Sequence, residues 1–189
     1  SLDAPINACV FALGAGARFV ARSIDTNQKH LPEMLKRAHA HKGASFVEII
    51  QNCIVYNDGV FDSWTARDVA DDKQVALEHG KPLIFGKNKD KGLRLIPGKL
   101  ELEVATLGQN GMTVSDILVH DETNRALASL LAALEGPDFP EAIGVFYCNP
   151  AEPYDVAVHK QLAEIREKTP PTDLNAMLRR GRTWTVATS

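Results

Sequence analysis

The sequence predicts an α/β fold, because strand-like apolar runs and a segment of helical periodicity alternate near its start. Residues 44–50 (ASFVEII) are rich in aromatic and β-branched side chains and contain no glycine or proline, as expected of a buried strand. Within that run, Glu48 is expected either at a sheet edge or paired with a cation. An amphipathic helix is predicted over residues 31–41, and a short strand over 19–22 precedes it. This order forms a βαβ unit, in which the two strands normally pair in parallel.

The remainder of the chain is more irregular, and its character changes after residue 80. Short strands separated by Gly, Pro and Asn predict hairpins appended to the core. We therefore place a domain boundary between residues 80 and 81, with a C-terminal α+β extension at 81–189. The predicted helices lie at 64–79, 120–134, 158–167 and 174–180, and the predicted strands at 82–85, 93–96, 100–104 and 143–147.

Composition excludes several classes of function. The net charge is −3 and no basic cluster is interleaved with aromatic residues, so a nucleic-acid surface is not expected. No apolar run approaches the roughly 18 residues that span a bilayer, and no secretory signal pattern opens the sequence. The 3 cysteines are far apart, odd in number and without a CxxC motif, which favours reduced thiols in the cytoplasm over a disulfide scaffold.

Four groups of residues invite functional interpretations that have simpler alternatives. The histidines lack a complete ligand set and are expected on an exposed helix face. The aspartates suit the positive end of a helix better than a metal site. The lysines suit a solvated loop tip or an acidic partner, and the glycines suit a close turn better than a phosphate loop. These groups are His30, His39 and His41; Asp68, Asp71 and Asp72; Lys87, Lys89 and Lys91; and Gly14 and Gly16.

Cys53 occupies the most informative position in the chain. It follows the predicted strand at 44–50 and precedes Tyr56-Asn57-Asp58-Gly59, which has the composition of a turn. Loops at the carboxyl ends of strands are where open α/β sheets usually bind ligands. A cysteine there is either a functional thiol or a buried structural one, and buried cysteines are common.

Five segments resemble the β subunit of 2-oxoacid:ferredoxin oxidoreductases, especially the 2-oxoglutarate type. The similarity is most specific before residue 62 and looser after about residue 80. The segments are ALGAGARFVAR (12–22), HKGASFVEIIQNC (41–53), YNDGVFD (56–62), ILVHDETN (117–124) and IGVFYCNPAEPYD (143–155).

The resemblance implies a fold, cofactors and partners. Residues 1–80 would be the C-terminal half of a thiamine-diphosphate-binding domain, a doubly wound parallel sheet with helices on both faces. The family uses thiamine diphosphate with magnesium and a 4Fe-4S cluster to convert a 2-oxoacid and coenzyme A to an acyl-CoA, passing electrons to ferredoxin. An α subunit is the expected partner, and Lys87, Lys89 and Lys91 would be candidate contacts for ferredoxin.

The resemblance also suggests site residues. Cys53 matches the family's last cluster cysteine, although Ile54 stands where many members have proline. Asn57 and Asp58 match the same motif and would tie down a loop near thiamine diphosphate or form an Asx turn. Cys9 and Cys148 match no ligand position and are expected to be structural.

Two motifs of the family do not occur in this sequence. One is the Gly-Asp-Gly of the thiamine site, and the other is the CxxC that supplies further cluster ligands. The resemblance therefore implies the C-terminal half of a β subunit, which by itself would neither bind thiamine diphosphate nor build the cluster. Such a half would leave an open sheet edge, so association with itself or with the other half is expected.

Two other functions fit the sequence. The chain could be a non-catalytic α/β binding or assembly module that shares the fold. It could also be a thiol enzyme that pairs Cys53 with one of the 6 histidines, although the sequence places none of them near this cysteine.

Overall fold

The computed structural model describes residues 2, 5–169, 171, 173–181 and 183–187. They divide into two compact units, Ser1–Ala151 and Glu152–Ser189. This division differs from the boundary predicted between residues 80 and 81, which stays a prediction.

The helices of the first unit are α1 (Ala8–Gly14), α2 (His30–Ala40), α3 (Asp62–Thr65), α4 (Ala70–Lys73) and α5 (Arg125–Ala132). Its strands are β1 (Phe19–Ile24), β2 (Phe46–Ile50), β3 (Gln74–Leu77), β4 (Ile84–Phe85), β5 (Lys91–Leu95), β6 (Leu102–Thr106) and β7 (Glu141–Cys148).

A four-stranded sheet forms the centre of the first unit, with the strand order β2-β1-β7-β3. The predicted β1-α2-β2 unit is confirmed, and β1 and β2 pair in parallel. Strand β7 pairs in parallel with β3 but antiparallel with β1. The α/β class is therefore confirmed, but the sheet is mixed rather than parallel throughout, because β7 returns from the second half of the unit.

Helices cover both faces of this sheet, as predicted. Alternate residues of β1 point to opposite faces. Phe19 and Ala21 pack with Met34 of α2 on one face. Val20 packs in the larger core cluster, which includes Cys9 of α1 and Leu131 of α5, on the other face.

The predicted hairpins form a second, antiparallel sheet with the order β4-β5-β6. Leu83, Phe85 and Leu93 are buried, and they belong to the same core cluster as Val75 and Leu77 of β3. The hairpin sheet is therefore part of the main core rather than a separate appendage.

Three local predictions are wrong. The helix predicted over 64–79 is two short helical turns followed by strand β3, because Val75 and Leu77 are buried where β3 pairs with β7. This pairing overrides local helix propensity. The strand predicted as buried, β2, lies at the sheet edge with its side chains half-buried or exposed. The helix predicted from residue 120 begins only at Arg125, where Asn124 caps it.

Gly144 in β7 shows how closely β3 and β7 approach. Its φ is +125°, a conformation that side chains rarely adopt. A Cβ atom there would lie 2.7 Å from the carbonyl oxygen of Leu77. Only glycine fits this position without displacing β3.

A buried ionic cluster ties three strands together on the core face. Arg22 of β1 is 6% exposed, and its guanidinium donates to Glu48 at 2.6 Å and to Glu141 at 3.1 Å. It also lies over the ring of Phe146, 5.4 Å from the centroid. The thiol of Cys9 donates to the same Glu48 oxygen at 3.3 Å. Glu48 is thus both at an edge and paired, which satisfies the expectation for a carboxylate in this strand.

The second unit contains helix α6 (Tyr154–Lys168) and helix α7 (Leu174–Leu178), and neither buries a residue. Leu162, Ile165 and Trp184 are exposed by 43%, 50% and 84%. In the described part of the chain, no helix has both the length and the apolar character that crossing a membrane would require.

Candidate functional site

The candidate site lies at the carboxyl ends of β1 and β2. Because the two strands are parallel, Ile24 and Ile50 end them side by side, and the Asp25 N–H donates to the Ile50 carbonyl at 3.0 Å. The β1–α2 loop and the loop after β2 therefore leave the sheet at the same edge. This is the position at which α/β sheets usually hold ligands.

Two clefts open at this edge. A cavity of about 240 Å³ lies between the strand ends, with Asp25, Asn52 and Asp62 among the residues that line it. A larger one of about 570 Å³ lies beside it and includes Lys29 and Arg67 in its lining. Residues of the β1–α2 loop line both cavities, so space for a ligand lies next to this loop.

Cys53 lies in the tight loop that follows β2, and its side chain is exposed. The Asn57 N–H donates to the Cys53 carbonyl at 3.0 Å, and these two residues form an antiparallel bridge. The nearby backbone N–H groups of Tyr56 and Val55 lower the pKa of the thiol below the ordinary value. Hydrogen bonds to the charged form favour the thiolate, which is the form that binds metals.

Asn52 closes the loop from the strand side. Its side-chain Nδ2 donates to Asp58 Oδ1 at 2.8 Å, and its Oδ1 accepts from the Gly59 N–H at 2.9 Å. The Asp58 side chain and the Asn57 backbone thus both hold the loop in shape. Their contact with a cofactor stays a prediction.

Apolar side chains surround the thiol on the loop surface. Ile54, Val55 and Tyr56 are exposed by 75%, 91% and 91%. We refer to these three side chains and the half-exposed Ile49 of the edge strand as the apolar patch. Exposed apolar patches beside an open sheet edge are typical of surfaces that contact another chain.

The other two cysteines differ from Cys53. Burial raises the pKa of the Cys9 thiol to about 12, and its sulfur is engaged by Glu48. Cys148 is half-buried, with its sulfur 3.9 Å from Nδ1 of His41, and burial raises its pKa as well. The structure therefore brings a histidine to Cys148, where the thiol stays protonated, rather than to Cys53.

The exposed-histidine prediction is right for His39 and wrong for two others. His30 is half-buried and its Nδ1 lies 2.7 Å from the Ser23 hydroxyl. His41 is half-buried against Phe19, with 5.4 Å between the ring centroids. Burial lowers the pKa of both histidines.

Charged groups elsewhere are balanced within the chain. Asp72 accepts from the Lys91 ammonium at 3.2 Å and from the Lys87 backbone, which together lower the pKa of its carboxyl group. The lysine cluster is therefore partly neutralised.

At the predicted glycine turn, Arg125 donates to the carbonyls of Leu13 and Ala17, so this segment presents acceptors rather than phosphate-binding N–H groups.

The donor set can be compared with an iron–sulfur cluster. Among the residues with described positions, no group of three or more His, Cys, Asp or Glu side chains could hold a metal ion. A 4Fe-4S cluster takes four thiolates, and an exposed thiol with a lowered pKa fits one of them. Cys53 therefore fits as a single ligand, and the other three would have to come from elsewhere.

Sequence reasoning missed the role of Asn52. The sequence analysis assigns Asn52 no role, although asparagine side chains commonly bond to backbone and side-chain groups in nearby turns. The signal that pointed to it was its place between the strand and a Tyr-Asn-Asp-Gly turn.

Comparisons with known proteins were positive for sequence and for fold. No protein-family model matches the chain. It is 34% identical over 191 residues to 2-oxoglutarate oxidoreductase subunit KorB of Mycobacterium tuberculosis, which covers 98% of this chain and 50% of the relative. It is 38% identical over 58 residues to the 2-oxoacid:ferredoxin oxidoreductase subunit beta of Saccharolobus solfataricus, covering 31% of this chain and 19% of the relative.

A solved structure has the same fold. It is a 2-oxoglutarate:ferredoxin oxidoreductase from Magnetococcus marinus with 2-oxoglutarate, coenzyme A and succinyl-CoA bound. The TM-score is 0.55 at 19% identity, over 97% of this chain and 47% of that one. The chain thus spans about half the length of the Mycobacterium relative and of the solved chain.

The relatives that the chain resembles are oxidoreductase subunits, and the solved structure shows that the α/β fold is shared. More particularly, the chain is homologous to part of the β subunit of 2-oxoacid:ferredoxin oxidoreductases.

Proposed function

We propose that this chain is the C-terminal half of a β subunit of a 2-oxoacid:ferredoxin oxidoreductase that acts on 2-oxoglutarate. The reaction would be oxidative decarboxylation to an acyl-CoA, with an α subunit and ferredoxin as partners, in the cytoplasm. The observation that carries the proposal is the similarity to KorB along 98% of the chain. As a half, it would act only together with the remainder of the enzyme.

Thiamine diphosphate with magnesium supplies the carbanion chemistry when bound, and a 4Fe-4S cluster takes up the electrons. The chain's own contribution would be structural and electrostatic. The ends of β1 and β2 would form one wall of the cofactor cleft. Asn57 and Asp58 would hold the neighbouring loop in place beside it, through the bonds described above.

Cys53 would be one ligand of the cluster. Its side chain is exposed in the loop that follows β2, and its pKa is lowered by backbone N–H groups. Such hydrogen bonds to a ligand sulfur also tune the reduction potential of an iron–sulfur cluster. The apolar patch formed by Ile49, Ile54, Val55 and Tyr56 would then be covered by the rest of the enzyme, which would shield the cluster from water.

The test uses the protein as its host makes it, purified without oxygen together with whatever copurifies. We expect ferredoxin reduction that requires both 2-oxoglutarate and coenzyme A, and about four irons for each copy of this chain. Pyruvate in place of 2-oxoglutarate tests the choice of substrate. An iron-free protein of 20.6 kDa that reduces no ferredoxin would contradict the proposal.

A further inference from the structure

We propose that Asn52 is a positioning residue that fixes the Cys53 loop, and thereby the place of the thiol relative to its cluster. The inference rests on the proposed function, because it assigns Asn52 a role toward that cluster. It concerns a side chain that would not itself bind the metal.

The first support is the number of bonds that one amide makes. Asn52 uses both its amide nitrogen and its amide oxygen, bonding Asp58 at 2.8 Å and the Gly59 backbone at 2.9 Å. These bonds join the residue before Cys53 to the two residues that end the turn. The loop is therefore closed on both sides of the thiol by a single side chain.

The second support is that the Cys53 loop has few other stabilising contacts. Residues 51–58 are all exposed, so the hydrophobic core does not hold this loop. The loop is closed by the Asn57–Cys53 backbone bond and by the two hydrogen bonds of the Asn52 side chain. Gly59 has φ +73°, which turns its N–H toward Asn52 in a conformation that glycine adopts without strain.

The third support is where Asn52 lies. It follows β2 directly, and its side chain lines the cavity of about 240 Å³ at the strand ends. A rigid strand therefore carries the amide that holds the loop. Sites held by such supporting bonds keep a ligand within the narrow tolerance that metal geometry demands.

A reciprocal exchange of side chains tests this role. Asn52→Asp keeps the acceptor for Gly59 but loses the donor to Asp58 and sets two carboxylates against each other. Adding Asp58→Asn restores a donor and acceptor pair in the opposite direction. Asn88→Ala, at an exposed position between β4 and β5, is the matched control.

Two measurements are needed, one of which requires no cluster. In the full chain without iron, hydrogen exchange at the Gly59 amide should be roughly tenfold faster in Asn52→Ala, which removes the acceptor of that amide. Asn52→Asp keeps the acceptor, so its exchange should rise less, through the repulsion between the two carboxylates. In the iron-loaded enzyme, Asn52→Asp should shift the equilibrium constant for cluster reduction by about tenfold, which is 59 mV for one electron. The double exchange should restore both values toward those of the unaltered protein.

Unchanged exchange and an unchanged potential in Asn52→Ala would overturn the inference. So would faster exchange with an unchanged potential, since Asn52 would then hold the loop without positioning the thiol. Absence of iron from the unaltered protein would refute the proposed function and, with it, the redox role of Asn52. Hydrogen exchange would still separate the two failures, because it reports whether Asn52 holds the loop even when no iron is bound.

Discussion

Strand β2 separates two environments in which the same side chain has opposite chemistry. On the core face, Cys9 is fully buried, bonded to Glu48, and has a pKa raised to about 12. Beyond the end of the strand, Cys53 is exposed and its pKa is lowered by backbone N–H groups. The first thiol is a packing group, and the second is prepared to act as a thiolate.

The difference shows that placement decides the role of a cysteine in this chain. Desolvation disfavours the charged form, whereas peptide N–H groups directed at the sulfur favour it. The ionic cluster of Arg22, Glu48 and Glu141 stabilises the buried side, and local loop bonds shape the exposed side. Changes to the first should therefore affect folding, and changes to the second should affect function.

Thiol alkylation should give the largest contrast. At pH 8, a thiol with a pKa of about 12 is ionised in roughly one molecule in 10⁴, while one with a pKa below 9.0 is ionised in more than about a tenth. Iodoacetamide should therefore modify Cys53 at least about 10³ times faster than Cys9 in the folded chain. Peptide mass spectrometry at timed intervals measures both rates, and comparable rates would refute the contrast.

Replacing Arg22 by methionine should have the largest effect on stability. It leaves the half-buried carboxylates of Glu48 and Glu141 without their cation, a loss that reaches about 3–5 kcal/mol where such a pair is fully buried. Urea unfolding measures the change. Arg22→Lys keeps the charge and should be intermediate, and Arg67→Met, at an exposed position, should change stability by less than about 0.5 kcal/mol. Equal effects at Arg22 and Arg67 would show that the cluster does not stabilise the fold.

The buried thiol should also make the fold sensitive to alkali. Its folded pKa, about 12, lies above the ordinary value of 9.0, so its contribution is complete below pH 9 and is lost as the pH rises through 12. As the pH rises above 9, Cys9→Ala should lose less stability than the unaltered chain, whatever its stability at neutral pH. Unfolding free energies at pH 8 and pH 10.5 give the two slopes, and identical slopes would contradict the assignment.

A smaller effect is expected at the loop. Asp58→Ala removes one exposed hydrogen bond to Asn52, so the free energy of unfolding should fall by about 0.5–1 kcal/mol. The same variant should loosen the Cys53 loop without affecting the core. A loss as large as that of Arg22→Met would mean that the loop is a structural element of the fold.

Patterns in the sequence predicted the β1-α2-β2 unit and the hairpins, because each has a local signal in residue spacing. Strand β3 was missed because nothing local distinguishes residues 74–77 from a helix, and only pairing with β7 makes them a strand. The strand at 143–147 was predicted, but its antiparallel pairing with β1 was missed for the same reason. Long-range pairing is a property of the folded chain, not of a short window.

The site was predicted in part. The position of Cys53 after a strand was visible in the sequence, and the resemblance gave it a meaning. The Asn52 bonds and the backbone N–H groups at the sulfur required coordinates, because they depend on how the loop turns. The pairing of His41 with Cys148 joins residues far apart in the chain and left no sequence signal.

The central claim is that Cys53 binds an iron–sulfur cluster, and the most direct measurement is iron content in protein purified without oxygen from its host. Cys53→Ser should lose most of the iron and the low-temperature EPR signal of the reduced cluster, while Cys148→Ser should keep both. Full iron in Cys53→Ser, or equal loss in the two variants, would contradict the account.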